Sequence, residues 1–129
     1  MSRNFRRVFA LSLVFACAAL GSLANAEPSN KWRIIFDHSS DGAGELVFRI
    51  SPKGGTPIDV TTQIPKGTSE NQAAQLVKKS MKAALGKGYG VEVDDFEAVL
   101  IKKKGKTPVF DVSMVNSTIS GLMVNLRRE

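Results

Sequence analysis

The sequence predicts an α+β domain, an antiparallel sheet of four or more strands with one amphipathic helix packed on one face. Three observations carry this. Apolar and polar residues alternate with period two in short runs before Ile64 and again after Tyr89. Only the stretch from Ala73 to Leu85 keeps a helical period. Turn-forming clusters separate the runs, and a single helix can cover only one side of a sheet.

In chain order, Trp32–Phe36 reads as a strand, with Trp32 and Ile34 alternating against Lys31 and Arg33. The cluster Asp37-His38-Ser39-Ser40-Asp41-Gly42-Ala43-Gly44 is a loop. Glu45–Ser51 and Ile58–Ile64 form a hairpin around Pro52–Pro57, with Ile58, Val60, Thr62 and Ile64 on one face. The helix begins after Pro65-Lys66-Gly67, where Thr68 or Ser69 caps the first free N–H groups and Gln72 completes a capping box with Ser69. Ala73, Leu76, Val77, Ser80, Met81, Ala84 and Leu85 recur on one side, and Gly86 supplies the stop. Tyr89–Val93 and Phe96–Lys103 form a second hairpin around Asp94-Asp95. A two-residue loop puts Phe96, Ala98 and Leu100 with Tyr89, Val91 and Val93, and sets Glu92 against Glu97; a one-residue change in loop length turns Val99 and Ile101 inward instead, and the sequence does not settle the register. Val109–Val115, with Phe110, Val112 and Met114 on one face, and Leu122–Leu126 complete the strands.

Residues 1–26 have the order of a cleaved secretory signal peptide. Arg3, Arg6 and Arg7 precede an apolar run from Val8 to Leu20, and Ala24-Asn25-Ala26 offers a cleavage site after Ala26. An uncleaved anchor would need the apolar run extended to Ala24. Lipidation at Cys17 is disfavoured by Phe15 just ahead of it. Arg6-Arg7 partly resembles a twin-arginine signal, but nothing downstream calls for export of a folded, cofactor-loaded protein. The expected organisation is therefore a leader (1–26), a flexible polar lead-in (27–30) and one domain (31–129), exported to the periplasm or secreted, with no transmembrane span once the leader is removed.

The leader also distorts the composition. Three of the eighteen basic residues lie in it, leaving fifteen against twelve acidic ones, a net of +3 rather than +6. The single cysteine lies there too, so the remainder is disulfide-free and without thiol chemistry or cysteine-ligated zinc. Such a domain stands on its hydrophobic core.

Ile64-Pro65-Lys66-Gly67-Thr68, Ala73-Ala74-Gln75-Leu76-Val77 and Val91-Glu92-Val93 follow the order strand end, turn, Ala-rich helix, hairpin. Through these residues Ile58–Lys103 resembles a β-α-β-β module of phage-tail and bacterial surface proteins. The resemblance covers less than half of the mature chain. It implies a structural or assembly unit and brings no catalytic residues.

Four groups are candidate sites. His38, with Asp37 and Asp41 beside it, has the residue types of a hydrolase, although neighbouring loop residues point apart and no nucleophile-elbow motif is present. Asp37, Ser39 and Asp41 match the first half of a calcium loop, but Phe48 stands where the bidentate glutamate belongs. Glu92, Asp94, Asp95 and Glu97 form an acidic hairpin tip, and paired carboxylates can hydrolyse glycosides if a cleft holds them. Lys78, Lys79, Lys82, Lys102, Lys103, Lys104 and Lys106 form one positive surface if the helix and the basic turn Lys102-Lys103-Lys104-Gly105-Lys106 meet. No aromatic residues interleave with these lysines, which argues against nucleic acid. Asn116-Ser117-Thr118 matches the glycosylation sequon.

The expected function is therefore that of a small exported, non-enzymatic binding or accessory protein of the cell envelope. Its partner is an anionic envelope component or another protein, its action is inhibitor-like, and no cofactor is implied. One alternative is an assembly subunit that uses an exposed edge strand, Trp32–Phe36 or Leu122–Leu126. The other is a small hydrolase built on the His38 loop or the acidic tip.

Overall fold

The computed structural model describes residues 27–129, and the expected leader lies outside them. The strands are β1 (Lys31–Asp37), β2 (Gly44–Pro52), β3 (Ile58–Ile64), β4 (Tyr89–Asp94), β5 (Ala98–Lys103), β6 (Phe110–Ser117) and β7 (Met123–Arg128). One helix, α1 (Glu70–Leu85), runs into a single 3₁₀ turn at Gly86–Gly88. The α+β class and the antiparallel pairing agree with the pattern of the sequence. The strands divide between two sheets, in the orders β4-β5-β1-β7 and β3-β2-β6.

The division follows from the connections. The β2–β3 and β4–β5 hairpins stay within their sheets, whereas the loops at 38–43, 65–69, 104–109 and 118–122 carry the chain from one sheet to the other. β1 therefore takes both partners from far along the chain, with Ile34 opposite Val99 on one side and Leu126 on the other. This corrects the expectation that Trp32–Phe36 is an edge: it lies inside its sheet, and the edges there are β4 and β7. In β3-α1-β4-β5, the module order expected for 58–103, β3 belongs to the other sheet from the β4–β5 hairpin.

Ile34 and Phe36 of β1 are buried in one core with Leu46, Phe48 and Ile50 of β2 and Phe110 of β6. The Trp32 indole N–H donates to the Phe110 carbonyl at 2.8 Å, tying β1 to β6 while both side chains stay dry. Tyr89 meets Phe110 edge to face, ring centroids 5.1 Å apart. The helix buries Ala73, Ala74, Val77, Met81 and Leu85, chiefly against β3 and β4, so it covers the gap between one edge of each sheet. Ala84, expected on that face, is exposed, because the buried stripe runs at four-residue steps through Ala73, Val77, Met81 and Leu85 and leaves Ala84 to its side. The Ser69 hydroxyl accepts from Gln72 N–H while the Gln72 side chain accepts from Ser69 N–H, as the capping box requires.

The second hairpin takes a three-residue loop. Asp94 pairs with Ala98, leaving Asp95, Phe96 and Glu97 as the tip and turning Val99 and Ile101 inward with Val91. Neighbouring β1 enforces this register, since Phe36 N–H donates to the Glu97 carbonyl at 2.9 Å. Leu100, not Glu97, then lies opposite Glu92. In β6 Met114 pairs with Phe48 but is 38% exposed and outside the core, and beyond it a bulge at Val115 shifts the pairing with β2. The lead-in is anchored at Ser29, whose backbone bridges to Phe110 in both directions and whose hydroxyl donates to the Glu129 carbonyl.

Candidate anion-binding groove

Helix periodicity places Lys78 and Lys82 on one side of α1, one turn apart. The helix lies along β4, and a groove of about 570 Å³ runs between Gln75, Lys78 and Lys82 on the helix and Val91, Glu92, Val93, Asp95 and Phe96 on β4 and its tip, two cations against two carboxylates. Lys82 also lines an adjoining depression of about 300 Å³ with Tyr89, Gly90, Lys102 and Lys104. The Lys104 stem lies close over Gly90, whose Cβ, if it had one, would stand 3.3 Å from Lys104 Cε.

Of the seven lysines expected to form a positive surface, the structure thus brings four together: Lys78, Lys82, Lys102 and Lys104. Lys79 faces away on the exposed side of the helix. The Lys103 ammonium donates to the Gly105 carbonyl at 3.1 Å, and Lys106 stands in the β5–β6 turn outside both depressions. Lys102 pairs with Glu92 at 3.4 Å, while among the described residues no carboxylate comes within 4.0 Å of Lys78, Lys82 or Lys104.

The acidic tip is compensated from below. The Arg33 guanidinium, largely covered, donates to Asp94 at 2.7 Å and approaches Asp95 at 3.7 Å and Glu129 at 3.4 Å. Hydrogen bonding to Asp94 is the main reason that the Arg33 pKa is raised, burial notwithstanding. Burial pushes the Glu129 carboxyl up, but its hydrogen bonds from Arg33 and Arg127 together hold it below the ordinary range. Asp94 and Asp95 therefore serve an ion-pair network around Arg33 over the outer face of the sheet.

The His38 loop is used differently. His38 is exposed with a left-handed backbone (φ 64°), and its Nε2 lies 3.8 Å from Asp37, which also accepts from His38 N–H. The nearby hydroxyl that is buried, Ser40 Oγ, donates to the Pro65 carbonyl at 2.8 Å and accepts from Thr68 N–H at 2.8 Å. Ser40 N–H and C=O bond to Thr68 and Gly67 as well, so this residue locks the β1–β2 loop to the turn before α1. Asp37, Ser39 and Asp41 do not converge on one point with further acids: no group of three or more His, Cys, Asp or Glu side chains is placed for a metal ion among the described residues.

A further groove of about 550 Å³ at the start of α1, lined by Pro65, Thr68 and Leu76, carries the single charge of Lys66. No helix among the described residues is long and apolar enough to cross a membrane. Compared with protein-family models and with curated proteins, the chain matches none.

Two features of the groove escaped sequence reasoning. Phe96 was assigned to a strand face but stands at the tip, 76% exposed and with φ 64°. The open side of β4 depends on sheet order, for which a local pattern carries no signal. The only available hint was the rarity of a Phe in a loop of acids.

Proposed function

We propose that this protein is a small exported, non-enzymatic binding or accessory protein of the cell envelope that takes hold of an anionic partner in the groove between α1 and β4. The observation that carries this reading is the sharing of Lys82 between two adjoining depressions, with Lys78, Lys102 and Lys104 around them against two carboxylates, Glu92 and Asp95, of which only Glu92 is within 4.0 Å of one of these ammonium groups. Four lysines against Glu92 and Asp95 leave the concave surface net positive, and such a surface focuses a positive potential and raises the local concentration of anions. The leader-like residues 1–26 support export. Occupying a partner's acidic surface would make the action inhibitor-like. Commitment of Asp94 to Arg33 and of Glu92 to Lys102 favours binding over hydrolysis.

The test is retention of the purified protein on envelope fractions at low and high salt, compared with Lys78→Glu/Lys82→Glu. Both lysines are on the surface, so the fold is retained. Binding that falls about tenfold or more in the variant and weakens with salt is expected. Salt-independent retention, or retention unchanged by charge reversal, would overturn the reading. An enzymatic role predicts instead that His38→Ala or Asp95→Asn abolishes the biological effect.

A second reading, assembly through an edge strand, is favoured by β7, which pairs only with β1. A strict monomer in light scattering at high concentration would exclude it.

A further inference from the structure

We propose that the anionic partner is a polypeptide, an acidic extended segment of another protein that adds as a strand to the open edge of β4. This inference rests on the reading of the α1–β4 groove as anion-binding and names what fills it.

The argument starts from the ladder. β4 is hydrogen-bonded on one side only, to β5. Lys104 N–H donates to the Gly88 carbonyl, and in an antiparallel pair such bonds recur at every second residue. Gly90, Glu92 and Asp94 therefore direct their backbone groups to β5, while Val91 and Val93 direct theirs outward. No hydrogen bond to the N–H or C=O of Val91 or Val93 is made among the described residues. These four groups lie along the groove that Lys78 and Lys82 wall and that Phe96 closes at one end.

An extended chain is the ligand that uses all of this at once. Its backbone continues the sheet, and its side chains alternate between the two faces. Acidic side chains on the inner face meet Lys78 and Lys82; those on the outer face meet Lys104. A lipid headgroup would satisfy the lysines and leave the backbone row unused. A second copy of this chain is disfavoured, because β4 edges brought together would also bring their lysines together, a known guard against self-pairing. The same charge that repels a copy attracts an acidic partner. Phe96, held exposed in a left-handed conformation that a Phe rarely adopts, offers an apolar contact to one residue of the incoming strand.

The test uses the purified protein with four probes: a capped peptide of alternating Val and Glu, the same peptide N-methylated at alternate amides, oligoglutamate, and phosphatidylglycerol vesicles. The alternating peptide is expected to bind, N-methylation on the pairing side to weaken it about tenfold, and the amides of Val91 and Val93 to gain protection from hydrogen exchange. Lys78→Glu/Lys82→Glu is expected to weaken it by a similar factor. Equal binding of the methylated peptide and of oligoglutamate, without protection at Val91 and Val93, overturns strand addition while leaving the anion-binding groove standing. Binding to vesicles but to no peptide also overturns it. If nothing binds and charge reversal changes no interaction with envelope fractions, both this inference and the reading beneath it fail.

Discussion

Ser40 is the most exposing test of how the two halves of the domain are joined. Its hydroxyl is 96% removed from water with the rest of the residue and makes two bonds, one to the Pro65 carbonyl and one from Thr68 N–H. Ser40→Ala has unequal effects on the two partners. The Pro65 carbonyl keeps a donor, since the Thr68 hydroxyl reaches it at 2.6 Å. Thr68 N–H is left buried without an acceptor, which costs about 1–3 kcal/mol. For a domain of this size each kcal/mol corresponds to roughly 4–8 °C in Tm. The double variant Ser40→Ala/Thr68→Val removes both donors from Pro65, so its effect should exceed the sum of the single ones by at least about 0.5 kcal/mol. Urea and thermal unfolding followed by circular dichroism would measure this, with Ser39→Ala, at an exposed neighbour, as the control within about 0.5 kcal/mol of the parent. If Ser40→Ala is no more destabilising than Ser39→Ala, or if the double variant is merely additive, the buried tie is not what secures the loop.

Two further outcomes follow from geometry and charge. Gly121→Ala should destabilise by roughly 2–4 kcal/mol, because Gly121 has φ +91° and a Cβ would stand 2.5 Å from the Ser39 carbonyl oxygen and 2.7 Å from the Asp41 carboxylate; Gly42→Ala, with nothing within 4 Å, should be neutral or slightly stabilising, and equal effects in denaturant melts would contradict the clash. The two aspartates Asp59 and Asp111 should shift stability with pH in opposite senses. Hydrogen bonding to Arg49 holds Asp59 below its ordinary pKa, so its contribution is present above the unfolded-state pKa and is lost as pH falls through the folded one. Burial, partly offset by the Val112 amide, raises Asp111, so stability is greatest below its unfolded pKa and declines as pH rises through the folded value. Asp111→Asn should therefore stabilise at neutral pH and lose that advantage in acid, whereas Asp59→Asn should destabilise at neutral pH; Asp111→Asn destabilising at pH 7 in pH-dependent melts would reverse the assignment.

The strands and the helix were legible because their signals are local. Period-two alternation in Ile58–Ile64 and the Ser69–Gln72 capping box each involve residues within one element, and both are present as read. The hairpin at Asp94-Asp95 admitted two registers in the sequence. The choice fell to β1, whose Phe36 N–H binds Glu97 from sixty residues away. The candidate site divides in the same manner. Lys78 and Lys82 could be placed together by helix geometry alone. Their meeting with Lys102 and Lys104, and the exclusion of Lys103 and Lys106, required the helix to settle against β4.

What the sequence by itself determined is the set of elements, the faces they bury and a net charge of +3 over residues 27–129, since these follow from side-chain spacing and count. Only the tertiary structure decided that the strands form two sheets, that β1 is interior while β4 and β7 are edges, and that four lysines surround an open strand with an exposed Phe96 at its end. The physical reason is that strand order and edge exposure are set by pairings between residues far apart in the chain, which no pattern within a single strand encodes.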